Sequence, residues 1–384
     1  MPATEAVSNI TPSPDGLVRT ARERRSALQW LGGLPGRLVT LVLPEATLPE
    51  HDQVPLNTAA QWVARSPRGN GYLALEPGTR RFSRGDDLIA YRVSGRTAFI
   101  VGGTHRGPDS GNEVLSQFVE VAKSAKIRRV LLFPVQEADR SAVEQVGFKT
   151  LQVGSEAFVD PQTFDLQGKR FADLRQMVNR ATKRFDLGVE ELDPHADREA
   201  LQDFFQQWRK SLGGPHPLRL LVGTPCVDEP LGRRYMVARN ECDQIVAAIT
   251  LTPGWGGDGW GVDVMARLRD TPPGAMDFLL TRTIQRVREE GCTIFSLGAC
   301  PMAEDAPIEQ VSRPFLRWVF RGLYATKIGN RLFHFQGLTH FKRKFSPRWE
   351  PVYIAAWPRL GVPELYTGCR MWGLFGDSPE IFND

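Results

Sequence analysis

Apolar positions along the chain change period several times, and each change marks an element. LIAYRVSG (residues 88–95) and RTAFIVGG (96–103) are short aromatic and β-branched runs that meet at a Gly-Arg turn, the pattern of two paired strands. A Gly-rich loop, THRGPDSG, follows. From 113 to about 126 the spacing turns helical, with Val114, Leu115, Phe118, Val119 and Val121 on one side. RRVLLFPV (128–135) reads as a buried strand, and a short helix over 140–146 leads into KTLQVG.

The same order returns later. YMVARNECDQIVAAITLTPG (235–254) holds two strands around a polar turn, and GWGVDVMARL (259–268) adds a third. The loop RDTPPGA precedes a helix from 276 to about 290 whose apolar side carries Phe278, Leu279, Leu280, Ile284 and Val287. TIFSLG (293–298) closes the unit as a strand. Two copies of strand, strand, Gly-rich loop, helix, strand predict an α/β fold with mixed sheets, duplicated in tandem. Between them lie two helices. One spans 169–186 and buries Leu174, Met177, Val178 and Ala181; the other spans 196–212, contains Phe204, Phe205 and Trp208, and ends at Gly213-Gly214. The expected organisation is a lead-in with a basic helix over 1–36, a first unit over 37–165, linker helices over 166–212 and a second unit over 213–384. Within these, 16–34 is the basic helix and 37–44 a strand.

Composition changes little. The 384 residues, 41% hydrophobic and 24% charged, are those of an ordinary globular protein, and a net charge of +4 implies no partner. No apolar run reaches the ~18 residues of a membrane span, and MPATEAVSNITPSPDG lacks the pattern of a signal peptide. A cytoplasmic protein is expected. Five cysteines and six histidines are scattered, without C-x-x-C or H-E-x-x-H, so no metal site is expected.

Local charge carries more. Between Arg313 and Trp349 the chain has nine Lys or Arg and no Asp or Glu, interleaved with aromatic residues as far as Tyr353. Cations mixed with rings suggest a packed element with a cationic face for a polyanion. Arg313, Arg317 and Arg321 recur every four residues, one column on a helix, where their mutual repulsion is relieved by an anionic partner or by acids elsewhere in the fold. Arg175, Asn179 and Arg180 on the first linker helix extend the set of candidate phosphate ligands.

Candidate chemistry gathers around the second unit. Gly274 stands just before a helix, where backbone N–H groups can meet an anion, although Gly and Pro there are also plain turn chemistry. Asp263 lies in an otherwise apolar strand, so it needs a partner or a cleft. Two roles are open to it: an ion pair with Arg267, or orienting and deprotonating a nucleophile. Glu350 has the same two options, with Arg348 as its neighbour. Trp349 fits the core more readily than a stacking platform.

In order, VDVMARLRDTPPGAMDFLL, FSLGACPMAE and RLFHFQGLTHFKRKFSPRWEPVYIA resemble the synthase domain of the phosphatidylglycerol lysyltransferase family, also called multiple peptide resistance factor. EAFVDPQTFDLQGKRFADLRQMVNR resembles its linker and LIAYRVSGRTAFIVGG its first strand pair, so the likeness covers about residues 71–357. It implies two GNAT-like acyltransferase folds in tandem. It implies transfer of an aminoacyl group from aminoacyl-tRNA, a co-substrate in place of a cofactor, to a hydroxyl, usually that of phosphatidylglycerol. It also implies work at the inner face of a membrane, with resistance to antimicrobial peptides as the biological setting.

In that frame Asp263, Arg267, Lys342, Lys344 and Glu350 are the expected catalytic set. Gly274, Ser296, Gly298, Trp349 and Tyr353 are expected at the substrate, and Arg175, Asn179, Arg180, Arg313, Arg317 and Arg321 at tRNA or phosphate. Three departures stand out. The N-terminal membrane flippase common in the family has no counterpart, which keeps a soluble small-molecule acceptor open behind the favoured anionic phospholipid. The family's Asp-x-Met-Arg becomes Asp263-Val264-Met265-Ala266-Arg267. Gln336 stands where Lys is usual. The alternatives are an acetyl-CoA-dependent N-acyltransferase, for which RLRDTPPGA is only a partial pyrophosphate loop, and a non-catalytic module binding RNA or an anionic membrane.

Overall fold

The structure, a computed structural model, describes residues 48, 54–105, 113–212, 223–301, 303 and 335–372. The predicted helix over 16–34, the strand over 37–44 and the column Arg313, Arg317 and Arg321 lie outside the described residues.

The chain enters through α1 (Leu56–Arg65) and a short 3-10 turn (Asn70–Leu75). The first unit then runs β1 (Arg80–Arg84), β2 (Asp87–Ser94), β3 (Thr97–His105), α2 (Glu113–Ser124), β4 (Arg129–Gln136), α3 (Glu137–Gln145) and β5 (Lys149–Val159). The linker supplies α4 (Ala172–Phe185), β6 (Gly188–Leu192) and α5 (Arg198–Ser211). The second unit repeats the first: β7 (Arg234–Arg239), β8 (Ile245–Gly254), β9 (Gly259–Arg267), α6 (Ala275–Glu289), β10 (Ile294–Pro301), α7 (Phe335–Arg343) and β11 (Arg348–Trp357). Helix α8 (Val362–Met371) follows.

All eleven strands form one sheet in the order β1-β2-β3-β4-β11-β5-β10-β9-β8-β7-β6. Leaving out the edge strand β6, the order is palindromic about the β11–β5 pair. Within each unit, antiparallel strands are followed by a helix and a strand parallel to the last of them: β3 beside β4, and β9 beside β10. Parallel neighbours need a crossover, and α2 and α6 provide it. The expected mixed α/β fold, with its order of elements repeated, is the one observed. What the sequence pattern did not reveal is an exchange of terminal strands. β5 of the first unit pairs with β10 of the second, and β11 of the second pairs with β4 of the first.

The helices bury the faces their spacing selects. Phe278, Leu279, Leu280, Ile284 and Val287 of α6 meet Leu174, Val178 and Ala181 of α4 in one core under the second unit, with Phe345 from the C-terminal stretch. Val114, Leu115, Phe118 and Val119 of α2 fill another under the first. Phe204, Phe205 and Trp208 of α5 pack with Val264 and Ala266 of β9. Among the described residues no helix is long and apolar enough to cross a membrane.

Candidate functional site at the β9–β10 divergence

Strands β9 and β10 are paired over only three residues, Gly259–Gly261 against Ile294–Ser296. Beyond Gly261 and Ser296 each strand carries an irregularity. On β9, Val262 and Val264 oppose Leu251 and Thr250 of β8, so Asp263 is an extra residue, a β-bulge. On β10 the register against β5 shifts between Ser296 and Ala299. A bulge re-aims a side chain and interrupts pairing, which is why such features recur beside active sites. Here two of them open the sheet at one point.

Gly298 sits in that opening with φ +84°, a left-handed conformation that glycine adopts without strain. A Cβ on it would lie 3.3 Å from the Val262 carbonyl oxygen and 3.5 Å from Lys342 Nζ. The strand containing Asp263, the bulge of β10 and the lysine of α7 therefore converge. Lys342 Nζ donates to the carbonyls of Gly298 at 2.9 Å and Ala299 at 3.2 Å, and a further bond to Cys300 occupies the ammonium. The residue is 2% exposed, and burial pushes its pKa down while Cys300 and Glu156 pull it back up. Beside it, Ser296 Oγ donates to the buried Glu156 at 2.6 Å and accepts from Gly298 N–H at 2.9 Å.

Asp263 does not pair with Arg267, which is exposed at the end of β9. Its partner is Arg233, whose Nε donates to Asp263 Oδ2 at 3.3 Å. Arg233 Nη2 donates to Glu76 Oε1, also at 3.3 Å, across 157 residues of sequence. Burial raises the Asp263 pKa against the opposing pull of Arg233. Burial first, and the Asp263 charge second, push Glu76 up to about 7.

The remaining expected residues are placed elsewhere. Lys344 Nζ donates to Asp277 in the first turn of α6 at 2.7 Å, and its ammonium lies 5.3 Å from the Phe341 ring. Glu350 pairs with Arg348. Trp349 is half-buried against the α6 core. Tyr353 is 3% exposed in the core of the first unit, and its hydroxyl donates to Glu137. Gly274 has φ +90°, and a Cβ on it would lie 2.5 Å from the Met177 carbonyl of α4. A close helix contact and a left-handed turn account for that glycine. Arg175 Nη1 donates to the carbonyls of Leu166 and Gly168 at 2.5 and 2.7 Å. Asn179 is exposed and Arg180 half-buried, its guanidinium 5.8 Å from the Phe185 ring.

The structure thus brings together Ser296, Gly298 and Lys342 and adds Glu156, with the β9 backbone reaching them at Val262; the side chain of Asp263, the next residue, is held with Arg233 and Glu76. Glu156 sits in a run of apolar residues on β5, a signal like that of Asp263. Glu76, in a Leu-Glu-Pro-Gly turn, and Arg233, in a Gly-Arg-Arg run, carry no pattern that separates them from surface charges. Among the described residues no group of three His, Cys, Asp or Glu is placed to hold a metal ion.

A sequence model of the C-terminal region of phosphatidylglycerol lysyltransferase matches residues 63–356. The chain is 30% identical over 292 residues to the phosphatidylglycerol lysyltransferase of Bacillus subtilis (strain 168), covering 72% of this chain and 32% of that protein. With the Staphylococcus aureus (strain MRSA252) protein of the same description it is 24% identical over 295 residues, covering 74% and 34%. The chain therefore spans about a third of the length of the curated relatives it matches. Among solved structures, the C-terminal domain described as that of a lysylphosphatidylglycerol synthetase from Agrobacterium fabrum superposes with a TM-score of 0.69 at 25% identity, covering 82% of this chain and 94% of that one. L-PGS from Bacillus licheniformis gives 0.68 at 23% identity, covering 83% and 96%.

Proposed function

The chain belongs to the phosphatidylglycerol lysyltransferase C-terminal family, and from that premise we propose that it is an aminoacyltransferase that moves an amino acid from aminoacyl-tRNA to a hydroxyl of phosphatidylglycerol or a related polar acceptor. The observation that carries the reading is the opening where β9 and β10 part, at which the Val262 carbonyl, next in sequence to Asp263, and the buried Lys342 both approach Gly298.

An aminoacyl ester is already an activated acyl donor. The protein's task is to position it, accept the proton of the attacking hydroxyl and offset charge developing on the carbonyl oxygen. Asp263 accepts or orients the proton. The three N–H groups of Lys342 are committed to Gly298, Ala299 and Cys300. Its role is therefore to fix the bulge and to set a positive charge beside the reacting carbonyl. Around α4, Lys169, Arg170, Lys183 and Arg184 are exposed. With Arg180 they form the described basic surface available for nucleic-acid phosphates or an anionic membrane.

The test supplies the protein with a pool of tRNA charged with labelled amino acids and with vesicles containing phosphatidylglycerol. The expected product is labelled lipid, lost when the ester is hydrolysed beforehand. Transfer from acetyl-CoA with none from charged tRNA contradicts the reading, as does salt-sensitive binding of tRNA without turnover.

A further inference from the structure

Beside the opening in the sheet, the fold buries two acids around one base. The side chains of Glu76, Arg233 and Asp263 are 6%, 0% and 8% exposed. Each carboxylate takes one nitrogen of the guanidinium, at 3.3 Å in both cases, and one backbone N–H: Thr224 to Glu76 at 3.1 Å, and Gly223 to Asp263. The Tyr72 ring lies 5.1 Å from the guanidinium, and the Tyr72 hydroxyl is committed to the Leu231 carbonyl at 2.7 Å. The Nη1 of Arg233 is buried and has no partner among the described residues.

Charge balance then decides the state of the cluster. Two ionised carboxylates against one guanidinium leave a net negative charge out of water, which costs several kcal/mol. Retaining one proton between the acids removes it, as in other carboxylate pairs. The neighbouring titratable groups do not compete. Burial pushes Tyr72 up to about 12 and raises Tyr235 and Cys226 as well, so all three stay protonated near neutrality. The cluster releases one proton, around the value of about 7 to which Glu76 is raised.

What it lacks is a partner for Nη1, and what it offers are the two carboxylates that the other guanidinium nitrogens hold. A hydroxyl is the group that satisfies both, since it accepts one hydrogen bond and donates another. Resting on the transfer reading above, we propose that Glu76 and Asp263 form one acid–base unit bridged by Arg233, which receives the acceptor's attacking hydroxyl between the free Nη1 donor and a carboxylate oxygen. The hydroxyl oxygen accepts from Nη1–H and gives its own proton to the deprotonated carboxylate. As that O–H bond breaks, the oxygen bonds to the aminoacyl carbonyl carbon. The ester C–O bond to the donor then breaks, and the unit returns the proton to the leaving oxygen. No further reactant is needed.

The test is the pH profile of single-turnover transfer with Glu76→Gln and Arg233→Lys. In the wild type the rate is expected to rise through a single ionisation near 7. Glu76→Gln removes the like charge, so the limb moves down by about one unit or more toward the ordinary carboxylate range. Its plateau falls about 100-fold, the usual scale of general-base loss. Arg233→Lys keeps the charge but loses the fork, and the rate falls about 10-fold or more. A Glu76→Gln enzyme within about twofold of wild type at every pH, with its limb unmoved, overturns the proposal.

A second measurement needs no turnover. In the wild-type chain labelled with 13C at Asp and Glu carboxyls, one carboxyl is expected to titrate near 7 and to vanish in Glu76→Gln. Titration of every carboxyl below about 5 overturns the proposal. Failure of the chain to transfer from any charged tRNA sinks the transfer reading instead, and the carboxyl titration still decides whether the two acids share a proton.

Discussion

At the scale of the residue, the two lysines of the Phe-Lys-Arg-Lys-Phe run separate cleanly. Lys342 is buried on the β10 bulge, whereas Lys344 is 22% exposed in an ion pair with Asp277. Lys342→Ala is expected to lower transfer by about 100-fold or more, through loss of charge beside the carbonyl. It also leaves two strand carbonyls unpaired, which costs about 1–3 kcal/mol in a urea melt. Lys344→Ala loses a partly exposed pair worth up to about 1 kcal/mol and should leave transfer within about threefold of wild type. Equal losses of activity in the two variants contradict the assignment. The sequence made Asp263 conspicuous, because an acid between Val262 and Val264 needs an explanation. Its partner was not legible. Arg267 is the nearest arginine along the strand, but the bulge and the strand ending put it in solvent, while Arg233 arrives from the start of β7. Glu76 is drawn in from 157 residues away, and only packing reveals a contact of that range.

At the scale of the element, most helices and strands could be read from their periods. The apolar sides named for α2, α4, α5 and α6 are buried as expected, except that Val121 and Met177 at their margins are half-buried. The bulges were not legible, since one extra residue in a strand leaves the alternation looking merely imperfect. Gly274 was readable as a glycine before a helix, but the close approach of α4 that requires it was not. Gly274→Ala places a Cβ 2.5 Å from the Met177 carbonyl at a φ of +90°. It should cost about 2 kcal/mol or more, measured as a lowered urea midpoint. A neutral effect contradicts the close α4–α6 contact. Transfer should fall with it, since α6 is the crossover that carries the chain from β9 to β10.

At the scale of the whole molecule, the repeat of element order was visible in the sequence and the exchange of β5 and β11 was not. Both strands sit in apolar runs that would pair equally well within their own unit. The exchange ties the units together, because each contains a strand of the other. Urea unfolding followed by far-UV circular dichroism and by tryptophan fluorescence should therefore give coincident curves. Two separated transitions contradict the shared sheet.

Stability should also respond to pH through Glu76. Its proton is held more tightly in the folded state, about 7 against an ordinary value of 4.5. The contribution is full below about 4.5 and is lost as pH rises through about 7. The urea midpoint of wild type relative to Glu76→Gln should fall across that window, and a constant difference contradicts the burial of the acid.

On the proposed transfer function, the aminoacyl end of the donor reacts where β9 and β10 part. The most direct measurement is a structure of the protein with a short acceptor-stem RNA carrying its amino acid through a non-hydrolysable amide. The aminoacyl carbonyl is expected in the opening between β9 at Val262–Asp263 and the Gly298 bulge, within reach of the charge on Lys342. An aminoacyl group seated on another surface, with that opening closed, contradicts it.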